Sequence, residues 1–176
     1  MTRTIRGLVL AAALCVLAGC SSSDDYTVPD ALCGVTVGSE PLAPLLPDGE
    51  KLDQSTKTLS PESSTCSVSV DKKQAVYVTD DVTDAGTDPV AVQRDALARM
   101  GNPQRAAVGD DARIADQGGV AVGLCTYQGG RHKFVTLVDL TAEHPVPKGT
   151  ADRRKALEAF LRAYLPKAME GKGCRK

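Results

Sequence analysis

Residues 118–140 read GGVAVGLCTYQGGRHKFVTLVDL, and this stretch decides the fold. Val120 to Tyr127 is the most apolar strand-like segment of the exported part of the chain, which predicts a strand in the middle of a sheet. Gly129-Gly130 predicts a hairpin loop, after which Phe134 to Leu140 returns antiparallel. Gly118-Gly119 is expected to form the turn that introduces the first of these strands.

A second hairpin is predicted upstream. Residues 66–70 (CSVSV) alternate apolar and polar side chains, as a half-buried strand does, and the pattern resumes at residues 75–78 after the polar residues 71–73. The preceding residues 28–64 are rich in Pro, Ser, Thr and Gly. They predict irregular structure, with one or two helical turns at residues 41–47.

Two helices are predicted. Asp88-Pro89 is a start signal, because Asp caps free amide groups and Pro fits the first helical position; this helix should end near Met100, before Gly101. The second helix should run from about Thr150 to Glu170, with Pro166 kinking or ending it. Its apolar face consists of Leu157, Phe160, Leu161, Tyr164 and Ala168, and its polar face of Arg153, Arg154, Lys155, Glu158 and Arg162.

Composition supports one folded unit. The chain has 176 residues, of which 42% are hydrophobic and 24% charged, which is ordinary for a globular protein. A net charge of −1 and an aromatic content of 3% argue against a nucleic-acid binder, which needs a basic surface and stacking rings. The element order predicts an α+β domain over residues 31–176. We expect a mostly antiparallel sheet with two main helices packed on one face and two disulfides.

The amino terminus has the three parts of an export signal. Arg3 and Arg6 are the positive region, residues 7–17 are an apolar region too short to span a bilayer, and Leu17-Ala18-Gly19-Cys20 follows. This tetrapeptide resembles a bacterial lipobox. The resemblance implies cleavage after Gly19 and a diacylglyceryl group on the Cys20 sulfur, with a further acyl chain on the new amino terminus. An ordinary secretory signal with an accidental Cys20 is the alternative.

Residues 1–19 are therefore interpreted as a lipoprotein signal peptide, and residues 20–30 as the lipidated cysteine with a flexible polar tether. Two or three acyl chains hold a protein stably on a membrane. With its lipobox, tether and cysteine-bearing strand, the chain resembles small secreted lipoproteins of high-GC actinobacteria, Streptomyces-like and of the domain-of-unknown-function type. The resemblance implies a lipid-anchored protein at the outer face of the cytoplasmic membrane, and no activity comes with it.

The six cysteines have separate fates. Cys15 leaves with the signal peptide and Cys20 carries lipid, so Cys33, Cys66, Cys125 and Cys174 remain for the oxidising environment outside the cytoplasm. Four cysteines allow three pairings. We expect Cys33–Cys66, joining the start of the folded region to the first strand, and Cys125–Cys174, joining the last helix to the central strand. No pair has the spacing of zinc ligands, and we expect no metal and no cofactor.

The residues offer no obvious catalytic set. His132 and His144 are expected in solvated loops, and no G-x-S-x-G motif is present. Asp110, Asp111 and Asp116 are interpreted as turn formers and solvated charges, since a glycosidase would need aromatic walls beside its carboxylates.

Two further segments have a functional and a structural interpretation. Residues 80–88 (DDVTDAGTD) hold many oxygen ligands, but their spacing departs from a calcium loop, so an acidic linker with Asp88 as helix cap is favoured. The cationic residues Arg153, Arg154 and Lys155 could touch anionic lipid or cell-wall polymer, whereas a solvated helix face is the commoner case.

These features predict a non-catalytic binding or interaction module. Its partners would be the membrane, through the lipid on Cys20, and an envelope protein, lipid or cell-wall component, with no nucleic acid. We expect it to be a monomer. The alternative function is an envelope-directed hydrolase that uses loop carboxylates or His132.

Overall fold

The computed structural model describes residues 26–176, so the predicted signal peptide, the lipobox-like residues, Cys20 and the first part of the predicted tether lie outside the described residues. The strands are Ala31–Leu32 (β1), Val35–Thr36 (β2), Leu52–Thr58 (β3), Ser63–Val70 (β4), Lys73–Asp84 (β5), Gln104–Arg105 (β6), Asp111–Ile114 (β7), Gly118–Tyr127 (β8) and Gly130–Leu140 (β9). The helices are Ser39–Leu42 (α1), Pro89–Val92 (α2), Arg94–Met100 (α3) and Thr150–Gly171 (α4), with a 3-10 turn at Ala43–Leu45.

The main sheet is antiparallel throughout, in the order β3-β4-β5-β9-β8-β7-β6, and β1 and β2 form a separate two-stranded ribbon. Both predicted hairpins, β4–β5 and β8–β9, are confirmed, and the mostly antiparallel α+β architecture holds. Gly118 and Gly119 are an exception to the expected turns, because both lie within β8.

Glycine in β8 lets the long helix approach the sheet closely. A Cβ atom on Gly123 would overlap the Sδ atom of Met169, and one on Gly119 would lie 3.3 Å from the Cδ1 atom of Leu161. Helix α4 therefore packs directly on the middle of the sheet. Its expected apolar face is confirmed, since Leu157, Phe160, Leu161, Tyr164 and Ala168 are all buried.

The helices do not share one face of the sheet, as the sequence had suggested. Helix α4 packs on the side that holds Val78, Ala121 and Phe134. Leu97 and Met100 of α3 form a smaller apolar cluster on the opposite side, with Val120 and Val135. Because consecutive strand residues point to opposite faces, β8 and β9 contribute to both clusters.

Two helix details also differ from expectation. The helix expected over residues 88–100 is divided at Gln93 into α2 and α3, although the Asp88 side chain accepts the predicted capping bond from the Ala91 N–H, at 3.1 Å. Helix α4 does not end at Pro166 but continues to Gly171. Burial of Leu165, Ala168 and Met169 on both sides of that proline stabilises the last turns despite the missing amide proton.

Two disulfides hold the ends of the described chain to the sheet. They are Cys33–Cys66, between the β1–β2 ribbon and β4, and Cys125–Cys174, between β8 and the carboxyl-terminal segment. These are the two pairings favoured by the sequence. The backbone of Arg175 also exchanges two hydrogen bonds with Thr126, at 2.7 and 3.0 Å. Among residues 26–176, no helix is long and apolar enough to cross a membrane.

Candidate binding site

A groove of about 520 Å³ lies at the end of the sheet where β4 turns into β5 and where β9 ends; we call it the proximal groove. Its walls are the Pro47-Asp48 turn, the β4–β5 turn with Asp71 and Lys73, and the loop from Thr141 to His144. The Asp71 carboxylate accepts hydrogen bonds from the N–H groups of Glu50 (3.1 Å) and Lys51 (2.9 Å). The Asp71 side chain therefore ties the β4–β5 turn to the segment that follows the Pro47-Asp48 turn.

A second groove adjoins the first. It has a volume of about 440 Å³ and lies between α3 and the sheet; Thr141 and Ala142 line both grooves. The second groove contains Tyr77, Arg99, Gln117 and Asp139, and we call it the helix groove. Tyr77 and Asp139 are direct partners across β5 and β9, so their side chains lie on the same face.

Asp139 is a half-buried carboxylic acid in the helix groove. Partial burial raises the pKa of its carboxyl above the ordinary value, and the nearby Arg99 charge offsets only part of this shift. Among the described residues the Asp139 side chain makes no hydrogen bond and no ion pair. A half-buried carboxylate with open coordination suits a ligand that donates hydrogen bonds or carries positive charge.

The proximal groove lies beside the first described residue. The Tyr26 hydroxyl donates a hydrogen bond of 2.6 Å to the carbonyl oxygen of Pro47, which lines the groove. The start of the described chain is thereby held at this end of the sheet.

The two histidines lie far apart. His144 lines the proximal groove, whereas His132 lies in β9, at the other end of that strand, and not in the hairpin loop expected from the sequence. The His132 ring contacts the Tyr127 ring edge-on at 5.7 Å, and its Nδ1 lies 3.0 Å from the Gly130 carbonyl oxygen. Neither histidine has a serine or carboxylate hydrogen-bond partner among residues 26–176.

The aspartates singled out in the sequence serve local structure. Asp110 accepts a hydrogen bond of 2.6 Å from the Leu124 N–H, and Asp111 pairs with Arg113 at 2.5 Å. Asp116 is not a solvated charge, because Arg154 and Asn102 both donate to its carboxylate and hold its pKa below the ordinary value. None of the three lines either groove.

The acidic run at residues 80–88 does not converge on a cation. Asp80 and Asp81 are consecutive in β5, so their side chains point to opposite faces of the sheet. Within residues 26–176, no group of three His, Cys, Asp or Glu side chains is arranged to hold a metal ion. Asp88 is the cap of α2, as described above.

Asp80 belongs to a buried polar network that sequence analysis missed. Its carboxylate accepts hydrogen bonds from the hydroxyl groups of Thr136 (2.7 Å) and Tyr164 (2.8 Å), between the sheet and α4. Burial raises the pKa of Asp80, and burial beside this carboxyl raises that of Tyr164. The signal was present in the sequence: Asp80 occupies the same alternate positions of β5 as the inward-facing Val76, Val78 and Val82.

The residues Arg153, Arg154 and Lys155 at the start of α4 were expected to form a solvated face, but only one of them does. Arg153 is only 7% exposed, and it donates to the carbonyl oxygens of Asp116 (2.6 Å), Pro147 (2.6 Å) and Lys148 (3.2 Å). Arg154 donates to the Asp116 carboxylate through Nε (2.8 Å) and Nη2 (2.6 Å). Both guanidinium groups thus join α4 to two loops. Lys155 alone is exposed.

Comparison of the chain with protein-family models, with curated proteins and with solved structures found no match.

Proposed function

We propose that this protein is a lipid-anchored, extracytoplasmic lipoprotein that acts as a non-catalytic binding module at the cell envelope, with the proximal groove facing the membrane. The lipobox resemblance at residues 17–20 supports the anchor, and Cys20 supplies the acylated sulfur. The hydrogen bond from Tyr26 to Pro47 is the observation that carries the orientation.

Chain length limits how far the groove can lie from the anchor. Five residues lie between Cys20 and Tyr26, and an extended chain advances at most about 3.6 Å per residue, so the six steps from Cys20 to Tyr26 span at most about 20 Å. The groove wall at Pro47 begins where this tether ends. A binding partner in the proximal groove would therefore lie next to the bilayer surface.

The placement of reactive groups supports binding over catalysis. General acid–base or nucleophilic chemistry needs a base within hydrogen-bond reach of its partner. His132 lies near the start of β9 and His144 in the loop after its far end, and the carboxylates at residues 110, 111 and 116 are bonded to backbone or arginine groups. The grooves instead combine polar groups with open hydrogen-bonding capacity, as binding sites do.

The anchor is tested by membrane fractionation of cells that express the Cys20→Ser variant. We expect the variant to appear in the medium or to stay unprocessed. Membrane retention of a cleaved but unlipidated form would refute the anchor. Turnover on a broad hydrolase panel, abolished by His132→Ala, would refute the non-catalytic assignment.

The orientation is tested by energy transfer from the lipidated chain to rhodamine-labelled lipid in vesicles. A genetically encoded fluorescent amino acid is placed at Ala142, in the proximal groove, or at Gln128, in the hairpin at the opposite end of β9. Residues 132–140 of β9 alone separate these ends by about 26 Å, at about 3.3 Å per residue. We expect clearly stronger transfer from position 142. Equal transfer, or stronger transfer from position 128, contradicts the orientation.

A further inference from the structure

At the end of the sheet opposite the proximal groove, a small cleft is lined by basic side chains; we call it the distal cleft. It measures about 200 Å³, and its charged lining residues are Arg131, Arg175 and Lys176, with His132 beside them. All three cationic side chains are exposed, and none of them forms an ion pair or a side-chain hydrogen bond within the described part of the chain. Among the described residues, no Asp or Glu side chain lines the cleft.

These charges are concentrated in one place by the fold. The disulfide Cys125–Cys174 and the backbone bonds between Thr126 and Arg175 clamp the carboxyl-terminal segment beside β8. Arg131 pairs with Thr126 across the β8–β9 hairpin, so it lies next to the same backbone position. The exposed Asp84 is close to the cleft, because it is the cross-strand partner of His132. Counting Asp84, the side chains still give an excess of two positive charges.

Unpaired cations held close together repel one another, and an anion relieves this repulsion. Elsewhere in the described chain, arginines are commonly neutralised locally: Arg113, Arg154 and Arg162 each pair with a carboxylate. Among the described residues, the three cations of the distal cleft have no carboxylate side chain paired with them. Phosphate groups, with several acceptor oxygens, match the arginine forks better than a single carboxylate does.

We propose that the distal cleft binds the phosphate groups of an anionic phosphodiester polymer. The cleft is smaller than the 300–1,000 Å³ typical of pockets that enclose a small molecule, so it suits an extended anion lying across the surface. Two further depressions adjoin it at Lys176, one of about 440 Å³ along the carboxyl-terminal segment and one of about 200 Å³ beside Arg162. All three depressions have Lys176 as a lining residue, and Glu170, which pairs with Lys167, also lines the larger one.

The position of the cleft favours a polymer outside the membrane over lipid headgroups. Ala75 lines the proximal groove and Ala85 lines the distal cleft, ten residues further along the chain. At about 3.3 Å per strand residue the two sites are about 33 Å apart. This choice of polymer over headgroup rests on the orientation proposed above, whereas anion binding by the cleft does not.

The test measures fluorescence anisotropy of a fluorescein-labelled poly(glycerol phosphate) chain with the full lipidated protein in non-ionic detergent micelles. We expect binding that weakens about tenfold between 0.05 and 0.2 M NaCl, because neutralised phosphates release counterions. Arg131→Gln, Arg175→Gln and Lys176→Gln combined should weaken binding about tenfold or more. The matched control combines Lys57→Gln, Lys72→Gln and Lys155→Gln, which are exposed and unpaired elsewhere; it should change binding by less than twofold.

Equal losses in the two triple variants would overturn the site, because the effect would then follow overall charge alone. Competition separates the sources of phosphate. Phosphatidylglycerol in mixed micelles that displaces the polymer at equal phosphate concentration would overturn the choice of polymer over headgroup. Inorganic phosphate should displace it only at a much higher concentration. Failure of the orientation test leaves the comparison of the two triple variants unaffected, so the two proposals fail separately.

Discussion

Replacement of Arg153 by methionine should destabilise the fold strongly, although the residue lies in a run of basic residues that looks solvent-exposed in the sequence. Methionine keeps most of the apolar stem and removes the guanidinium. Its three shortest hydrogen bonds are lost, to the carbonyl oxygens of residues 116, 147 and 148. At about 1 kcal/mol net for each bond, since water can reach part of these loops, the loss is about 3 kcal/mol.

Urea denaturation of the oxidised protein measures this loss. With a denaturant slope of about 2 kcal/mol per M, the midpoint should fall by about 1.5 M at an unchanged slope. Lys155→Met is the control, because it removes an exposed cation two residues away and should change the free energy of unfolding by less than about 0.5 kcal/mol. Arg153→Lys should lie between the wild type and Arg153→Met.

A loss below about 1 kcal/mol, or one equal to that of the Lys155→Met control, would refute the reasoning. The carbonyl groups would then be satisfied equally well by water, and Arg153 would not hold the loops to α4. The intermediate Arg153→Lys variant keeps the charge but not the forked geometry. If it matched the wild type, charge rather than the directed bonds would be responsible.

Two other changes test the core and its electrostatics. Leu161→Ala should lower the free energy of unfolding by about 2–5 kcal/mol in the same urea assay, since this side chain is fully buried between α4 and β8, and a loss near zero would place the wrong face in the core. Asp116→Asn should be less stable than the wild type at neutral pH. Because Arg154 and Asn102 lower the pKa of Asp116 in the folded state, its stabilising contribution is present above the ordinary value of 3.8 and is lost as the pH falls through the folded pKa. The stability difference measured from pH 7 down to pH 2 should therefore shrink below about pH 3.8, and a constant difference would contradict the ion-pair assignment.

The sequence predicted the elements whose side chains alternate or repeat clearly. The β4–β5 and β8–β9 hairpins, the Asp88 cap and the apolar face of α4 follow from periodicity and local capping. Strand β3 was missed. Its residues Leu52–Thr58 are almost entirely exposed at the edge of the sheet, so no face of it needs apolar residues and no pattern marks it.

The candidate site was less accessible to prediction than the fold. The proximal groove combines turns near residues 48, 71 and 143, which are brought together only by the pairing of β4, β5 and β9. The distal cleft depends on the disulfide that brings Arg175 beside β8, next to Arg131. Residues that are far apart in the chain and close together in the fold leave no pattern in the local sequence.

By itself, then, the sequence predicted an export signal, which lies outside the described residues, and it determined the four cysteines of the folded region and the strongly periodic elements, because these depend on neighbouring residues. Tertiary structure alone decided which polar groups are buried. Arg153 and Lys155 look alike in the sequence, yet one is enclosed by backbone carbonyl groups and the other faces water. The difference arises because burial and pairing depend on the loops that fold over α4, and these come from distant parts of the chain.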